Sequence, residues 1–435
     1  MLLSVVATET STLTFLSIPG VAYTGSLGFL QIAVGYIVGR AVVAVWLLPA
    51  YRDGRLRTAY ELLEIRFGPG TRRLASAIFM VTRLLADSVR LFATAIPLSL
   101  ITGFPLAVSV ALIGSVTFLY TYVGGIRAVV WVDASQTALY LLGGVVGLVA
   151  LGVLVDGGWP TILGRAAEAG KLAVLDPALD LGRPYTIWAG LVGGAFLSMG
   201  SHGTDQLIVQ RLLACRDLRD SRRALIGSGF VVLAQFALFL FVGLGLWAHF
   251  GGAAFERSDE IFARFIIESL PPGVRGLLIA AVFAAAMSTL SSSINSLAST
   301  SAYDFWAAGN PQASDGALLA IGRRFSLVWA ALLIVAAIAF IPLSRSSTAV
   351  EVSLGIASIV YGGLLGVFAL ARFVPGAGPG AARAGLVSGI VAVFALWVFG
   401  RSVVAWPWFV FFGTLISLAV GVLSSRASAQ VARGG

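Results

Sequence analysis

The chain has 435 residues, of which 58% are hydrophobic and 11% are charged, and its mean hydropathy is +0.94. This composition excludes a soluble globular protein of ordinary residue usage. With 2 histidines and 1 cysteine, neither a histidine-ligated metal site nor an internal disulfide is expected. The net charge of +9 could suggest nucleic acid as a partner, but the arginines lie mostly in short loops between apolar runs, where membrane topology explains them better.

Apolar runs of roughly 20 residues recur along the chain, and they predict an all-α polytopic membrane protein with about 12 transmembrane helices. The first run, residues 1–16, is interrupted by polar residues between Thr8 and Thr14 and is closed by Pro19 and Gly20. A polar interruption inside an apolar segment indicates a discontinuous helix, which transporters use to expose backbone carbonyls at mid-membrane.

The second span is predicted at residues 24–48, an arginine-rich loop at 51–73, and the third span at 74–100. The third span carries Arg83, Asp87 and Arg90, whose spacing of four and three residues lets the charges neutralise one another. Charges inside a membrane are costly, so they face one another or a cavity. The pattern leaves open a purely structural ion-pair ladder and a role in binding.

Span four is predicted at residues 106–120, and span five follows it and ends at residue 155. A mixed polar loop is predicted at residues 156–184. Span six, residues 185–212, is interrupted between Met199 and Gln206 and is the second predicted discontinuous helix. Span seven follows at 224–250. The amphipathic stretch that begins at Glu256 predicts a helix lying at the membrane surface.

Span eight, residues 280–306, begins as an alanine-rich helix and then becomes rich in hydroxyl side chains. At helical spacing, Ala285, Ser288, Thr289 and Ser292 share one face. Neutral oxygen ligands suit a hard cation that is bound and then released. The alternative interpretation is structural, because small hydroxyl residues also allow close helix packing in a membrane.

Four more spans are predicted at residues 321–341, 350–371, 385–399 and 403–423. The interrupted spans one and six start about five helices apart, which predicts a 5+5 inverted repeat whose halves meet at a central site. The transport core would cover residues 1–372, with a first repeat at 1–155 and a second at 185–372. Residues 380–425 would add two accessory helices. In this arrangement the hydroxyl face of span eight faces the break in span one.

Basic residues concentrate in the loops at 51–73 and 211–223, whereas the opposite loops hold most of the loop carboxylates. Positively charged loops stay on the cytoplasmic side. This asymmetry predicts a multi-pass protein of the cell (inner) membrane with a cytoplasmic C-terminus.

The chain contains, in this order, the stretches VATETSTLTFLSIPGVAY, TAYELLEIRFG, YTYVGGIRAVVWVDASQ, GTDQLIVQRLLA, AAVFAAAMSTLSSSINSLAS and SIVYGGLLGVF. Together they resemble the sodium:solute symporter family, whose members have the leucine-transporter-type fold. The resemblance covers nearly the whole chain. One departure is that family members usually carry a leading helix, which is missing here because the chain starts only a few residues before the first break.

The resemblance implies a common sodium site on spans one and eight. Its ligands would be the carbonyl oxygens of Ala7, Thr10 and Ala285 and the hydroxyls of Ser288 and Thr289.

Some members move a second sodium ion. The matching positions here are Asp133, Ser291 and Ser292, with Ser288 shared between the two sites. The alternative partner for Asp133 is Arg127, six residues earlier, although that separation places the two on well-separated faces of a helix.

In the family the solute lies between the breaks of spans one and six. The matching positions here are Glu9, Ser11, Thr14, Phe29, Arg90 and Asp205. Arg90 falls in the region where carboxylate-binding members place an arginine. His202 could join this pocket or could only satisfy backbone groups at the helix break.

The sequence therefore predicts a sodium-coupled symporter that moves a small polar organic solute by alternating access. Its expected partners are the solute, sodium ions and the lipid bilayer, and no enzymatic chemistry or nucleic acid binding is expected. One alternative is a proton-coupled carrier of the same fold, with Glu9, Asp133 or Asp205 as the titrating group. The other is a membrane module that senses a solute and signals.

Overall fold

The computed structural model describes residues 2–53, 56, 59–310, 312–343 and 348–434, without the side chains of residues 3, 4, 53, 120, 123–134, 308, 343 and 428–434. Across these residues the chain is helical and has no strand, which confirms the predicted fold class. The helices are α1 (Leu2–Glu9), α2 (Thr12–Thr24), α3 (Phe29–Asp53), α4 (Glu61–Phe67), α5 (Pro69–Thr102), α6 (Leu106–Leu154), α7 (Gly158–Glu168), α8 (Gly194–Gly203), α9 (Gln206–Leu213), α10 (Leu218–His249), α11 (Glu260–Ser269), α12 (Pro272–Thr300), α13 (Ala307–Gly309), α14 (Asp315–Phe340), α15 (Ala349–Phe373), α16 (Pro379–Phe399) and α17 (Phe409–Gly434).

Within the described ranges, 9 helical segments are long and apolar enough to cross a membrane. The interrupted pairs α1/α2 and α8/α9 and the shorter apolar segment Leu106–Leu119 supply further apolar helix. At the end of the chain, α16 and α17 pack against α15 and against each other.

Both predicted breaks are present. The first leaves Thr10 and Ser11 outside any helix, and Ser11 has an extended backbone with φ −138° and ψ 164°. The second lies at Thr204 and Asp205, and the Asp205 side chain caps α9 by accepting from the Leu207 amide at 2.9 Å. The sequence suggested that the first interrupted span closes at Pro19, but the helix does not end there. It continues to Thr24, because a buried transmembrane helix tolerates a proline whose neighbours satisfy the freed backbone groups.

Spans four and five, predicted as two helices, form one helical element, α6, of 49 residues. Its two ends still run in opposite directions. The first end is antiparallel to α14, the second is antiparallel to α12, and α12 and α14 are antiparallel to each other. The contacts that establish these directions are Gly114 with Ile334, Tyr122 with Arg323, Gly143 with Ala281, Gly147 with Leu278, Trp329 with Ser301, and Ile294 with Leu333.

The stretch predicted to lie at the membrane surface forms α11, which packs inward against α2, α5 and α12. Most of its apolar face is buried, including Phe262 and Phe265, because the neighbouring helices offer it an apolar surface. Just before α11, the buried Asp259 accepts from the Ala349 amide at 3.0 Å and so joins α11 to the start of α15. Burial raises the pKa of Asp259 to about 6.

Close packing between α3 and the first half of the second interrupted span depends on two glycines. A Cβ atom on Gly35 would lie 2.0 Å from the Gly190 carbonyl oxygen, and one on Gly39 would lie 2.2 Å from the Ala195 carbonyl oxygen. Small residues four apart let membrane helices approach until their backbones touch. The backbone that leads to the second break is therefore held directly on α3.

We expect Gly39→Val to separate these two helices, because its side chain has no room against the Ala195 carbonyl. The cost of overpacking is about 1–3 kcal/mol or more, which should appear as a lower Tm of the detergent-solubilised protein. Gly322→Val in α14 is the matched control, since no atom lies within 4 Å of a Cβ built there. Equal thermal stability of the two variants would contradict the close contact.

Candidate functional site

A cavity of about 130 Å³ lies at the meeting point of the two helix breaks. Five of the six predicted solute positions line it, namely Glu9, Ser11, Thr14, Arg90 and Asp205. Arg83, His202 and Tyr361 also face it, together with apolar side chains of α5, α10 and α15. The structure thus gathers residues that are far apart in the sequence around one small cavity.

Phe29 is the predicted solute position that does not line this cavity. Its side chain is fully buried, and its ring centroid lies 4.9 Å from that of Phe236. Phe236 lines the cavity and Phe29 packs against it, with Tyr185 as a further aromatic neighbour. The spacing of residues around an aromatic side chain at the start of an apolar helix does not show whether its ring lines a cavity or packs behind a ring that does.

Glu9 closes α1 and forms an ion pair with a buried arginine of α3. Both carboxylate oxygens lie 2.6 Å from an Nη atom of Arg40, whose other Nη donates to the Ser228 hydroxyl on α10 at 2.6 Å. His202 of α8 approaches the same carboxylate, with its Nε2 3.3 Å from Oε2. Three elements, α1, α3 and α8, therefore meet at one carboxylate, and α10 joins them through Arg40.

Arg40 was not predicted from the sequence, although a signal was present. An arginine in the middle of a 25-residue apolar helix is costly unless it meets a carboxylate. The Arg40 side chain is 0% exposed, whereas that of Glu9 is 19% exposed. Glu9 is thus the member of the pair that the cavity can reach, and Arg40 is its buried counter-ion.

A second ion cluster is centred on Asp87, which is fully buried in α5. Its carboxylate lies 2.8 Å from Arg83 Nε and 2.6 Å from an Nη of Arg90, as the spacing of the three residues predicts. It also accepts from the hydroxyl of Ser293 on α12, and Arg83 Nε lies 3.3 Å from that hydroxyl. Ser293 was not singled out from the sequence, because nothing local distinguishes it from its neighbouring serines.

The ion cluster continues to the second helix break. Arg83 lies 3.6 Å from Asp205, a distance longer than that of its pair with Asp87. The hydroxyl of Tyr361 on α15 donates to the same Asp205 carboxylate at 2.8 Å. Asp205 therefore connects α5 and α15 to the start of α9.

The charges around the cavity are balanced. Three arginines face three carboxylates, namely Arg40, Arg83 and Arg90 with Glu9, Asp87 and Asp205. Arg90 is paired through only one edge of its guanidinium, because its Nε is buried and has no hydrogen-bond partner. That unpaired edge belongs to a side chain that lines the cavity.

The predicted common sodium site lies beside this cavity, where α12 passes the first break. The Thr289 hydroxyl is 3.1 Å from the Ala285 carbonyl oxygen and 3.5 Å from the Thr10 carbonyl oxygen. Ala7 and Ser288 are buried nearby on the same two elements. All of these groups are neutral oxygen donors, and the described residues contain no cluster of histidine, cysteine or carboxylate side chains that could hold a metal ion.

The positions predicted for a second sodium are only partly described. Ser291 is buried and donates to the Ser288 carbonyl at 3.1 Å, and Ser292 is half-buried. The side chains of Asp133 and Arg127 lie outside the described residues, so that prediction stays as it was made.

The first break is also held by Gln235 of α10, which the sequence analysis did not single out. The Thr10 hydroxyl donates to its amide oxygen at 3.1 Å, and its amide nitrogen donates to the Tyr140 hydroxyl at 3.0 Å. A lone glutamine within an apolar span is the signal that could have identified it.

Comparisons with known proteins support this architecture. The model of the sodium:solute symporter family matches residues 1–400. Sodium-coupled monocarboxylate transporter 2 of Bos taurus is 30% identical over 91% of this chain and 64% of its own length. The sodium/sialic acid symporter NanT of Aliivibrio fischeri is 30% identical over 97% of this chain and 84% of its own length. The chain thus spans 64% of the length of the monocarboxylate transporter.

Solved structures agree with the predicted fold. A substrate-bound, outward-open structure of a Na⁺-coupled sialic acid symporter has a TM-score of 0.85 and 27% identity, and the match covers 98% of this chain and 89% of that one. Inward-facing Mhp1 has a TM-score of 0.60 and 14% identity, with coverage of 99% and 90%. The second likeness concerns the fold alone.

We expect the pair of Glu9 and Arg40 to be a large contributor to stability. Arg40→Gln leaves a carboxylate without its counter-ion in the membrane interior, which costs about 3–5 kcal/mol for a buried pair. The double variant Glu9→Gln/Arg40→Gln removes both charges and should recover much of the lost Tm.

The matched control is Arg183→Gln, because Arg183 is 60% exposed and pairs with Asp176 at the surface. An exposed pair contributes about 0–1 kcal/mol, so its loss should hardly change Tm. If Arg40→Gln were as stable as Arg183→Gln, the assignment of a buried ion pair at the first break would be wrong.

Proposed function

The chain belongs to the sodium:solute symporter family, and we propose that it couples sodium entry to the uptake of a small organic carboxylate by alternating access. The observation that carries the carboxylate proposal is that Arg90 lines the cavity between the breaks and that its Nε has no hydrogen-bond partner. A guanidinium binds a carboxylate through two parallel N–H donors, and the edge of Arg90 that carries Nε is proposed to supply them.

Two further observations support a small anion. A cavity of about 130 Å³ has room for on the order of ten water-sized groups. The names of the relatives also agree, since they refer to monocarboxylates, sialic acid and, for the human sodium/iodide cotransporter, iodide. Because the charges around the cavity are already balanced, a bound anion would need the charge of a co-bound sodium to restore neutrality.

The proposed sodium ligands are the carbonyl oxygens of Ala7, Thr10 and Ala285 and the hydroxyls of Ser288 and Thr289. The Thr289 hydroxyl supports this set, because it lies 3.1 Å from the Ala285 carbonyl oxygen and 3.5 Å from the Thr10 carbonyl oxygen. A ligand set without carboxylates holds a hard cation weakly enough to release it on the other side of the membrane. A second sodium at Asp133, Ser291 and Ser292 stays part of the proposal.

The proposal includes the organisation of the chain in the membrane. Residues 1–372 would form the transport core, with repeats at 1–155 and 185–372, and residues 380–425 would form the accessory pair of helices. The arginine-rich loops support a location in the cell membrane with a cytoplasmic C-terminus.

A proton-coupled carrier is less well supported. Glu9 and Asp205, two of its three candidate titrating groups, each lie within ion-pair distance of a buried arginine. Protonating Glu9 would leave the fully buried Arg40 without its counter-ion, at a cost of about 3–5 kcal/mol. Every observation that fits a solute-sensing module also fits a transporter, so none favours the sensing module.

Uptake into proteoliposomes tests the proposal directly. Radiolabelled lactate should accumulate when sodium is outside, and should not accumulate when choline replaces sodium or when only a proton gradient is applied. Lactamide, its uncharged analogue, should accumulate much less. Proton-driven uptake without sodium would contradict sodium coupling, and sodium-driven uptake of lactamide equal to that of lactate would contradict carboxylate recognition.

The sodium ligands can be tested in the same assay. The double variant Ser288→Ala/Thr289→Ala removes two of about five oxygen ligands, so the sodium concentration for half-maximal uptake should rise severalfold. Ser296→Ala/Ser299→Ala is the matched control, since it removes two hydroxyls of α12 outside the proposed sites. An unchanged sodium dependence in the first variant would overturn the ligand set.

The role of Arg90 is tested by the charge of the solute. Arg90→Lys keeps the cation but loses the planar pair of donors, so it should weaken lactate uptake about 10-fold or more, as expected for a lost bidentate contact. Residual lactamide uptake should change far less. An equal loss for both compounds would show that Arg90 has only a structural role.

A further inference from the structure

The ion cluster on α5 is connected to α12 by a hydrogen bond. Asp87 accepts from Ser293, which lies four residues after Thr289 on the same helix. Four residues is about one helical turn, so the two hydroxyls lie on one face of α12. One of them is a proposed sodium ligand, and the other holds the carboxylate that orients Arg90.

We propose that Asp87 is the positioning residue through which sodium on α12 and the solute at Arg90 strengthen each other's binding. The inference rests on the proposed function, because it assigns a route to the coupling which that function requires. Asp87 itself lies outside both ligand sets and is fully buried. Its role is to hold donors that belong to different parts of the site.

The geometry around Asp87 is specific. One carboxylate oxygen lies 2.6 Å from Arg90, while the other lies 2.8 Å from Arg83 and also accepts from Ser293. Hydrogen bonds to an ionised group are short and depend strongly on distance. A shift of α12 of a few tenths of an ångström would therefore change how Asp87 holds both arginines.

Sodium would fix the position of α12 relative to the first break. The Thr289 hydroxyl is 3.5 Å from the Thr10 carbonyl oxygen, at the limit of a hydrogen bond. An ion coordinated by both oxygens would replace this weak contact with two ion–oxygen contacts and so hold α12 in one place. Ser293 lies one turn away on the same rigid helix, so it would be held together with Thr289.

The consequence for the solute arises at Arg90. Asp87 holds one edge of its guanidinium, and the other edge, with the unpaired Nε, is the one proposed for the carboxylate. A guanidinium held at one edge presents the other edge in a fixed direction, which reduces the ordering cost of binding. Since coupling between two sites is reciprocal, a bound carboxylate would raise sodium affinity by the same factor.

The alternative is that the cluster only neutralises charge in the membrane interior. In that case the loss of the Ser293 hydroxyl would lower stability, and it would weaken sodium and solute binding independently. The factor by which sodium strengthens solute binding would then stay constant. This factor is therefore the readout that separates a positioning role from a structural one.

The first experiment needs no solute. Ser353→Cys places a thiol in the cavity wall opposite α5, where Ser353 donates to the Ala86 carbonyl at 3.5 Å. Its rate of reaction with a membrane-impermeant methanethiosulfonate is measured on the full chain in sodium and in choline. The unmodified chain, whose Cys215 is buried, gives the background.

We expect sodium to change this rate at least about fivefold, the lower end of the ordinary range of coupling between two sites. Addition of Ser293→Ala should remove most of the change, and Ser293→Thr, which keeps the hydroxyl, should restore it. Ser358→Ala is the control, because that buried hydroxyl donates to the Leu354 carbonyl of its own helix. A sodium response that survives Ser293→Ala would overturn the inference.

The second experiment measures lactate binding to the solubilised protein with and without sodium. The factor by which sodium strengthens lactate binding should fall at least about threefold in Ser293→Ala and stay constant in Ser358→Ala. An unchanged factor with weaker binding of both ligands would assign Ser293 a purely structural role. If sodium affects neither labelling nor lactate binding in the unmodified chain, the proposed function fails, and the inference fails with it.

Discussion

The structure depends on one constraint, which is that a charge in the interior of a membrane protein needs a partner of opposite sign. Three arginines and three carboxylates satisfy it around the cavity. Two of the pairs, Glu9 with Arg40 and Arg83 with Asp205, join different helical elements. The two helix breaks can exist because these pairs and neighbouring hydroxyls surround them. At the first break Glu9 is held by Arg40, and at the second Asp205 is held by Tyr361. Unpaired charges at either break would make an interrupted helix too costly in a bilayer.

The two proposed binding sites follow different electrostatic rules because of this balance. The solute cavity is charged but compensated, so it can recognise an anion through the geometry of Arg90 without a large net field. The proposed sodium region around Thr289 contains only neutral oxygens. Such ligands bind the ion less tightly than carboxylates would, so it can be released as well as bound. Placing them side by side lets the charge of one cargo compensate that of the other, which is an electrostatic reason for the two to move together.

How much could be predicted from the sequence depended on whether the signal was local. The ladder of Arg83, Asp87 and Arg90 was predictable, because helical spacing alone brings those residues together. Both breaks were predictable from polar interruptions. The pairing of Glu9 with Arg40 was not predicted, because it joins residues 31 positions apart on separate helices, and only tertiary packing decides which carboxylate an intramembrane arginine meets. The same limit applies to Asp87 and Ser293, 206 positions apart, and to Phe29, which packs against Phe236 and does not line the cavity.

The distribution of charged contacts also divides several of the helices into two groups. Glu9, Arg40, His202 and Ser228 link α1, α3, α8 and α10, while Asp87 and Ser293 link α5 and α12.

Contacts between the groups are longer or uncharged. Arg83 lies 3.6 Å from Asp205, Thr94 donates to Thr12 at 3.2 Å, and Thr289 reaches the Thr10 carbonyl at 3.5 Å. Strong pairs within each group and weak contacts between them favour relative motion of the groups as units, since the weak contacts break first. The proposed sodium and solute sites both lie on that boundary, so each cargo would add the contacts that the boundary lacks, and a cargo that bridges two bodies can set their relative position.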